Sequence, residues 1–409
     1  MAKEYKDLIV GLDVGTAKVM VVVGEVMPGG DLKLVGLGVA AGNGLKRGVV
    51  VNIDATVTSI QQALKEAELM ADCKIGRIYT GITGSHIRGI NSSGMVAVKS
   101  KDVSQSDVAH VVETAKAINI PSDQRLLLVE PQEFVIDGQE VREPVGMSGK
   151  RLEVKVHIVT GAQSAAENIV KCVRRCGLEV EELLLNPLAS SQAVLTDDER
   201  DLGVACVDVG AGTTDVAIFT GGAIRHTAVI PIAGDLITSD IAMALRTPTT
   251  DAEDIKVAHG CAKQLLADAE AQVEVPGLGD RTPRMLTKQA LAGVIEPRVE
   301  EIFSLVQQVI RESGYEEVLS SGIVLTGGSA VMPGMVELGE DIFLKPVRCG
   351  VPRYSRALSD MVAQPRAATV MGLLEEARQA QLRGISVAHK ASGLRTAMGR
   401  LKDFIVGNF

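Results

Sequence analysis

The chain has 409 residues, of which 46% are apolar, and a formal net charge of −9. A chain of this length is too long for one compact core, so we expect roughly two to four subdomains. The negative charge, with 2% aromatic residues and no Trp, argues against a nucleic acid partner, because phosphate contacts need basic side chains and base stacking needs aromatic ones.

The six cysteines form no CxxC pair, which favours reduced thiols in a cytosolic protein. The N-terminus lacks the apolar core of a signal peptide, and no apolar run of 18 residues occurs. We therefore expect neither export nor a membrane-spanning helix.

The first predicted element is a two-stranded hairpin within Ile9–Val23. An apolar strand leads to Asp13, a turn follows at Gly15 and Thr16, and a second strand begins at Lys18. A glycine-rich turn can bring backbone N–H groups close to an anion, but it is also typical of an ordinary tight hairpin. Two strands, a helix and a short strand then complete a first half-domain, at Leu32–Ala41, Gly48–Asn52, Asp54–Ala71 and Ile78–Thr83.

Residues 84–160 interrupt this half-domain as a compact insertion. Their pattern predicts a strand, a helix and two further strands, at Gly94–Lys99, Ser106–Asn119, Arg125–Pro131 and Arg151–Val159. Helices at Glu167–Cys176 and Pro187–Val194 return the chain to the main body.

The second half opens at Leu202–Phe219 with a hairpin of the same design. A buried strand ends at Asp208, and a Gly-Ala-Gly-Thr-Thr turn leads to Asp215. The two Asp-Val-Gly triplets lie 195 positions apart, at residues 13 and 208, which predicts two related halves that each offer a phosphate-binding turn. A later strand ends in the turn Gly327–Ala330, on which an adenine or a ribose could lie.

These three motifs resemble the phosphate and adenosine loops of the actin, Hsp70 and sugar-kinase superfamily. The resemblance implies an α/β protein with the actin-like two-domain ATPase fold, built from duplicated RNase H-like halves with ATP held between them. The position of the insertion resembles subdomain 1C of the FtsA family of bacterial cell-division proteins. Four strings add to this likeness, namely Pro131–Phe134, Leu202–Asp208, Asp251–Gly260 and Val294–Arg298.

The resemblance also predicts the domain boundaries. Subdomain 1A comprises residues 1–83, 161–200 and 355–385, the inserted subdomain 1C is 84–160, subdomain 2A is 201–232 and 306–354, and the inserted subdomain 2B is 233–305. A linker at 386–393 and a membrane-targeting amphipathic helix at 394–409 follow.

The family motifs assign roles to individual residues. Nucleotide-binding residues are Gly15, Thr16, Ala17 and Lys18 in the first loop, Gly210, Gly212, Thr213 and Thr214 in the second, Gly327, Gly328 and Ser329 in the adenosine loop, and the pair Glu253 and Lys256. Without the family, that pair would be a surface salt bridge. Asp208, together with Asp13, is expected at Mg²⁺ through waters.

One position departs from the superfamily in a way that affects catalysis. Hsp70 and MreB have a glutamate where this chain has Asn186, and an amide can hydrogen-bond a water but cannot take its proton. Asp208 and Asp215 remain as catalytic candidates, with Asn186 a weak third. We therefore expect tight ATP binding with slow hydrolysis, so that whether the chain is an enzyme stays open.

The C-terminal stretch reads LRTAMGRLKDFIVGNF and predicts an amphipathic helix. Its apolar side comprises Leu394, Met398, Leu401, Phe404 and Ile405, and its basic side comprises Arg395, Arg400 and Lys402. Such a helix can lie in anionic headgroups, or it can dock on its own domain. The resemblance to the FtsA membrane-targeting tail favours the membrane.

The resemblance implies an ATP-binding cell-division protein on the cytoplasmic face of the bacterial inner membrane at the division septum. It would polymerise, anchor the FtsZ ring, with Arg284 and Arg298 as candidate contacts, and recruit other division proteins through subdomain 1C. Two alternatives remain: a metabolite or sugar kinase of the same fold, and a PilM-like protein of pilus assembly.

Overall fold

The structure, a computed structural model, describes residues 8–279, 282–353, 360 and 362–384. The predicted linker and the predicted C-terminal helix lie outside these residues. No helix in the described ranges combines the length and the apolar character that crossing a membrane requires.

The main elements alternate between strands and helices along the chain. The strands are β1 (Leu8–Val14), β2 (Lys18–Val26), β3 (Leu32–Ala41), β4 (Leu45–Lys46), β5 (Val49–Val50), β6 (Arg77–Ile82), β7 (Arg88–Ala97), β8 (Gln124–Ile136), β9 (Gln139–Val141), β10 (Arg151–Ala162), β11 (Glu179–Leu185), β12 (Val204–Val209), β13 (Thr214–Thr220), β14 (Ala223–Ile230), β15 (Gln272–Val275), β16 (Arg284–Thr287), β17 (Ile323–Thr326) and β18 (Val347–Cys349). The helices are α1 (Ile53–Ala71), α2 (Gln105–Ala115), α3 (Gln163–Arg175), α4 (Asn186–Val194), α5 (Asp197–Leu202), α6 (Gly234–Leu245), α7 (Thr249–His259), α8 (Lys288–Ser313), α9 (Met335–Phe343) and α10 (Ala368–Leu382).

Two five-stranded sheets repeat one topology. The first has the order β3-β2-β1-β6-β11 and the second the order β14-β13-β12-β17-β18. In each sheet the first three strands pair antiparallel and the last two continue in parallel. The predicted duplication is therefore confirmed at the level of sheet topology.

Helices α4 and α10 lie between the two sheets and join the halves in one apolar core. This core contains side chains from β2, β12 and both helices, such as Met20, Cys206 and Leu373. The helices cross at Gly372, where an added Cβ would lie 1.6 Å from the carbonyl oxygen of Ala189. Only glycine allows so close an approach, so the relative position of the two helices is fixed at this point.

The insertion is a separate four-stranded sheet of order β7-β10-β8-β9, covered by α2. Its core is its own, with Val108, Phe134 and Val156 among the buried side chains. The first half of β10, residues 151–156, alternates between buried and more exposed residues, which is typical of an antiparallel sheet with one covered face, and residues 157–161 are buried.

Several boundaries differ from the predicted ones for identifiable reasons. Helix α1 begins after Asn52, whose side chain accepts a hydrogen bond from the N–H of Ala55, so Asp54 lies in the first turn and is not the N-cap. Strands β11 and β14 were not predicted. Helices α5 and α8 run across the predicted subdomain boundaries at 200/201 and 305/306.

Candidate nucleotide-binding cleft

The two glycine-rich hairpins have the same local structure. In the first, the N–H of Gly15 donates to the carbonyl oxygen of Lys18 at 2.9 Å, and in the second, the N–H of Gly210 donates to that of Thr213 at 2.9 Å. Gly210 lies 195 positions after Gly15, and Thr213 lies 195 positions after Lys18. The duplication thus extends to the hydrogen bond that closes each turn.

The two turns contact each other and line one shared cleft. A Cβ added to Gly212 would lie 2.5 Å from Oγ1 of Thr16 and 3.0 Å from Cα of Arg47, so position 212 has no room for a side chain. The N–H of Gly48 donates to Oγ1 of Thr16 at 3.3 Å. The two phosphate-type loops and the β4–β5 turn therefore form one continuous wall.

The cleft has a volume of about 80 Å³. Its lining combines both halves, and comprises Asp13–Lys18, Gly48, Thr83, Asn186, Asp208, Gly210, Gly212, Thr213, Asp215, Gly327, Gly328, Pro365, Arg366 and Thr369. Small-molecule sites typically measure about 300–1,000 Å³. The cleft is therefore smaller than a typical small-molecule site.

Three buried carboxylates dominate the electrostatics of the cleft. Asp13 lies 3.2 Å from Nζ of Lys18, which offsets its charge. Burial, together with the nearby charge of Asp13, raises the pKa of Asp208 to about 6. Burial and the charge of Asp208 raise the pKa of Asp215 to about 8, although Thr83 donates a hydrogen bond of 2.8 Å to its Oδ1 and opposes the shift. Crowded acids of this kind favour a cation.

Pairing across the strands explains why the second hairpin carries two acids. Asp13 on β1 lies opposite Met20 on β2, whereas Asp208 on β12 lies opposite Asp215 on β13. The first hairpin therefore contributes the cation Lys18, and the second contributes the pair of carboxylates.

Two polar atoms in the lining have no hydrogen-bond partner and are shielded from solvent. These are Oδ1 of Asn186 and Nε of Arg366. Asn186 is the first residue of α4, and its Oδ1 packs against Gly81. Because buried polar groups are ordinarily paired, these two atoms indicate that the cleft is built for a polar ligand.

The third glycine turn lies beside the second hairpin. Oγ of Ser329 donates to the carbonyl oxygen of Gly210 at 2.9 Å, and the N–H of Gly327 donates to that of Pro365 at 3.3 Å. The residues predicted for the adenosine loop therefore adjoin the predicted phosphate loop.

The predicted pair Glu253 and Lys256 lies one layer behind the second hairpin. Nζ of the buried Lys256 contacts Oε2 of Glu253 at 2.7 Å, Oγ1 of Thr238 at 2.8 Å and the carbonyl oxygen of Gly234 at 3.1 Å. The N–H of Gly234 in turn donates to Gly210. Their role as nucleotide ligands stays a prediction.

Both predicted partner-binding arginines contact their own chain. Arg298 forms a two-pronged ion pair with Asp240, at 2.5 and 3.1 Å, and also contacts Glu301. Arg284 donates to the carbonyl oxygen of Leu245. The tail residues predicted for the membrane lie outside the described residues.

Sequence reasoning missed three side chains of the cleft: Thr83, Arg366 and Thr369. Thr83 was placed only as the end of a strand, and Thr369 donates to Oδ2 of Asp208 at 3.2 Å. All three follow ordinary-looking segments, and only the tertiary fold brings them beside the hairpins. Thr83, at the end of the predicted strand Ile78–Thr83, was the one available signal.

The residues present fit Mg²⁺ with a nucleotide. Carboxylate oxygens are the ligands that Mg²⁺ takes from proteins, and it usually keeps several waters and binds phosphate oxygens as well. No group of three or more His, Cys, Asp or Glu side chains suited to a metal occurs in the described part of the chain. A metal here would therefore rely on one or two carboxylates, chiefly Asp208.

Two topologically identical halves, joined by two crossing helices and separated by a cleft with facing glycine hairpins, define a protein of the actin-like class. Solved structures agree. A chain of a PilM–PilN type IV pilus biogenesis complex superposes with a TM-score of 0.65 at 18% identity, covering 90% of this chain and 98% of that one. MreB5 of Spiroplasma citri, bound to ADP, superposes with a TM-score of 0.55 at 15% identity, covering 93% and 99%.

Sequence comparison identifies the family within this class. A model of cell division protein FtsA matches residues 205–372, and a model of the SHS2 domain inserted in FtsA matches residues 84–160. The chain is 54% identical to the cell division protein FtsA of Pseudomonas aeruginosa, over 98% of both chains. It is 45% identical to that of Escherichia coli K12, over 94% of both. This chain belongs to the FtsA family of cell division proteins.

The family assignment confirms the predicted resemblance and the predicted fold class, apart from the C-terminal helix, which lies outside the described residues. It also establishes an actin-like role in cell division.

Proposed function

We propose that this chain binds ATP with Mg²⁺ in the cleft, polymerises on the inner face of the cytoplasmic membrane, and anchors the FtsZ ring there. The observation that carries the proposal is the direct contact of the two duplicated hairpins at Gly212 and Thr16. A nucleotide between them would touch both halves at once, so its binding would set their separation.

Within the cleft, each half contributes a different group. Lys18 supplies a cation to the phosphates, and the N–H groups of the glycine turns supply neutral donors. The metal, when bound, neutralises phosphate charge and adds to this binding. Asp208 would hold the metal through waters, and Thr369 donates a hydrogen bond of 3.2 Å that orients that carboxylate.

Hydrolysis should be slow, because Asn186 occupies the position where the superfamily has a glutamate. Its amide can hydrogen-bond a water but cannot accept a proton from it. We expect a turnover below about 1 s⁻¹, at or under the lower end of the enzyme range. A turnover well above this value would contradict the proposed role as a switch.

Anchoring to the membrane rests on the C-terminal pattern of apolar and basic residues. A single amphipathic helix binds reversibly, and self-association would multiply the contacts and strengthen attachment. The decisive experiment is sedimentation with MgATP and anionic liposomes, using the full chain and a form that ends at residue 393. Met398→Glu and Phe404→Glu should abolish co-sedimentation, whereas the polar-face control Thr396→Gln should not. Co-sedimentation of the shortened form would overturn membrane targeting by this segment.

The FtsZ contact can be tested separately from the membrane. Arg284→Ala should weaken co-sedimentation with FtsZ filaments without changing liposome binding. Because Arg298 is paired with Asp240, Arg298→Ala should be compared with Asp240→Asn, which breaks the same pair but keeps the arginine. Equal losses in both variants would mean that the ion pair, and not the arginine, matters.

Subdomain 1C, with its own core, is the surface we propose for other division proteins. The kinase and pilus alternatives are less well supported, since the full-length relatives are division proteins and the likeness to PilM is one of fold. Robust phosphoryl transfer to a sugar or glycerol would revive the kinase alternative.

A further inference from the structure

One cation of the cleft is not explained by the family motifs. Arg366 lies in the 3₁₀ turn Pro365–Ala367, immediately before α10. Its Nε is shut off from solvent and has no hydrogen-bond partner. The side chain nevertheless lines the same cleft as the two hairpins.

The backbone around Arg366 is tied to the nucleotide side of the cleft on both flanks. The carbonyl oxygen of Pro365 accepts hydrogen bonds from the N–H of Gly327 at 3.3 Å and from Oγ1 of Thr326 at 3.4 Å. Three residues later, Thr369 donates to Asp208. Arg366 is thus held between the predicted adenosine turn and the predicted metal-binding carboxylate.

The position of its Cβ agrees with this placement. A Cβ added to Gly328 would lie 3.9 Å from Cβ of Arg366, so the arginine stem starts beside that turn. A guanidinium that starts there and lines the cleft is within reach of the part of a nucleotide where the sugar meets the phosphates.

The two cationic side chains that line the cleft, Lys18 and Arg366, differ in whether a carboxylate is paired with them. Lys18 is paired with Asp13 at 3.2 Å. Arg366 forms no ion pair with any carboxylate among the residues that the structure describes. A buried N–H without an acceptor is unfavourable, and a ligand that brings an acceptor relieves that cost. Phosphate suits a guanidinium in charge and in geometry.

We propose that Arg366 binds a phosphate group of the nucleotide, donating from its guanidinium, from the subdomain 1A side of the cleft and independently of Lys18. This inference rests on the proposed nucleotide function. It assigns a second phosphate-binding cation, supplied by the segment that leads into α10, the helix that joins the two halves. A phosphate bound by Arg366 would therefore contact the segment that immediately precedes α10.

The test is a comparison of ligands with and without phosphate. Isothermal titration of the full chain measures the affinity for MgATP and MgADP, and competition measures that for adenosine. Arg366→Met should weaken MgATP and MgADP about 10-fold or more, the size of one charge-assisted hydrogen bond, and leave adenosine unchanged. Arg366→Lys, which keeps the charge but loses Nε and the planar fork, should recover part of the loss. The exposed Arg353, changed to Met, is the matched control.

Each other outcome would overturn the inference. If Arg366→Met binds all three ligands as tightly as the wild type, Arg366 does not contact the nucleotide. If its affinity for adenosine falls as much as that for MgATP, Arg366 contacts the base or the ribose and not a phosphate. A Tm several degrees lower for Arg366→Met without nucleotide would make it a structural residue. If the wild-type chain itself fails to bind MgATP, the proposed function fails first, which distinguishes the two hypotheses.

Discussion

Besides the apolar core around α4 and α10, the first half of the molecule contacts the second in two polar regions that are chemically opposite. One is the cleft between the hairpins, and the other is the interface where the inserted domain contacts strand β14. Both are polar and both are largely buried. In the cleft, acids are crowded together and two polar atoms lack partners, whereas at the interface the polar side chains are neutral or paired.

The interface of the inserted domain is centred on His157. Its Nδ1 lies 2.6 Å from Oδ1 of Asn91, and its Nε2 lies 2.9 Å from Oγ1 of Thr227. Gln132 adds a hydrogen bond of 2.8 Å to the carbonyl oxygen of Ile224. Burial lowers the pKa of His157 to about 3, so the ring is neutral.

This difference indicates different roles for the two regions. Unpaired and like-charged groups cost free energy that only a ligand can recover, so the cleft is suited to opening and closing. At the interface the polar groups are already paired, and they include the ion pair of Arg225 with Glu133 at 3.2 Å. A ligand offers no such gain there, so the interface is suited to keeping the inserted domain fixed on β14. Four changes test this contrast.

Removal of the cation of the first hairpin should have the largest effect. Lys18→Met should lower the affinity for MgATP up to about 100-fold, because a charge-assisted contact is worth about 1.5–3 kcal/mol. The equivalent position in the second hairpin is Thr213, and Thr213→Val should cost only a few-fold. Isothermal titration measures both. Equal losses would contradict the division of roles between the hairpins.

Removal of an acid from the second hairpin should stabilise the nucleotide-free protein. The pKa of Asp215, about 8, lies above the ordinary value of about 3.9, so the folded state keeps a proton that the unfolded state loses. The resulting stability is complete below about pH 4 and is lost as the pH rises through about 8. The variant Asp215→Asn has no such proton to lose. The free energy of unfolding of the variant minus that of the wild type should therefore be about 2 kcal/mol larger at pH 8 than at pH 6.

Urea unfolding at the two pH values checks this prediction. The exposed Asp123, changed to Asn, is the control and should show no such difference between pH 6 and pH 8. A wild-type chain whose stability relative to Asp215→Asn does not depend on pH would show that Asp215 is already ionised in the empty cleft.

Asp208→Asn should affect the metal dependence of binding more than binding itself. We expect Mg²⁺ to raise the affinity of the wild-type chain for ATP about 10-fold more than that of the variant, since a neutral amide is a weaker partner for the metal and its waters. Titration with and without EDTA measures this ratio. If the variant keeps the full Mg²⁺ effect, a carboxylate other than Asp208 holds the metal.

The smallest effect is expected at the interface. The pKa of His157, about 3, lies below the ordinary value of about 6.5, so only the unfolded state takes up a proton as the pH falls below 6.5. Wild-type stability should decline by about 1 kcal/mol between pH 6.5 and 5.5 relative to His157→Gln, which cannot titrate. Thermal unfolding at both pH values gives the difference, and the exposed His110, changed to Gln, should reproduce the wild-type slope.

The sequence was informative where a pattern is local and repeated. The hairpins combine buried apolar strands with glycine turns, and their repetition at Asp13 and Asp208 indicated both the duplication and the shared cleft. The helices of the insertion and of the main body were found because their apolar residues recur at helical spacing, although α1 shows that a cap can be misplaced when Asn52 and Asp54 are both suitable.

Other features could not be predicted because they depend on distant segments. Arg366 lies just before an ordinary helix and Thr369 lies in its first turn, and only the crossing of α4 and α10 at Gly372 brings them to the cleft. Likewise, nothing near His157 in the sequence indicates that β14 supplies its partner Thr227. Strand β11 was missed because its glutamates at 179, 181 and 182 resemble a polar segment, although it pairs with β6 in the tertiary structure.

The hydrogen bond between Thr83 and Asp215 has a mechanical consequence. Thr83 is the last residue before the inserted domain begins at Gly84, so the same hydroxyl that contacts the acid of the second half also marks where the insertion is attached to the first. Any ligand that draws Asp215 aside must either break this bond or pull the attachment point along with it. A movement of Asp215 caused by a bound phosphate would thus be transmitted through one side chain, Thr83, to the attachment point of the inserted domain. The ligand itself would not contact the core of that domain.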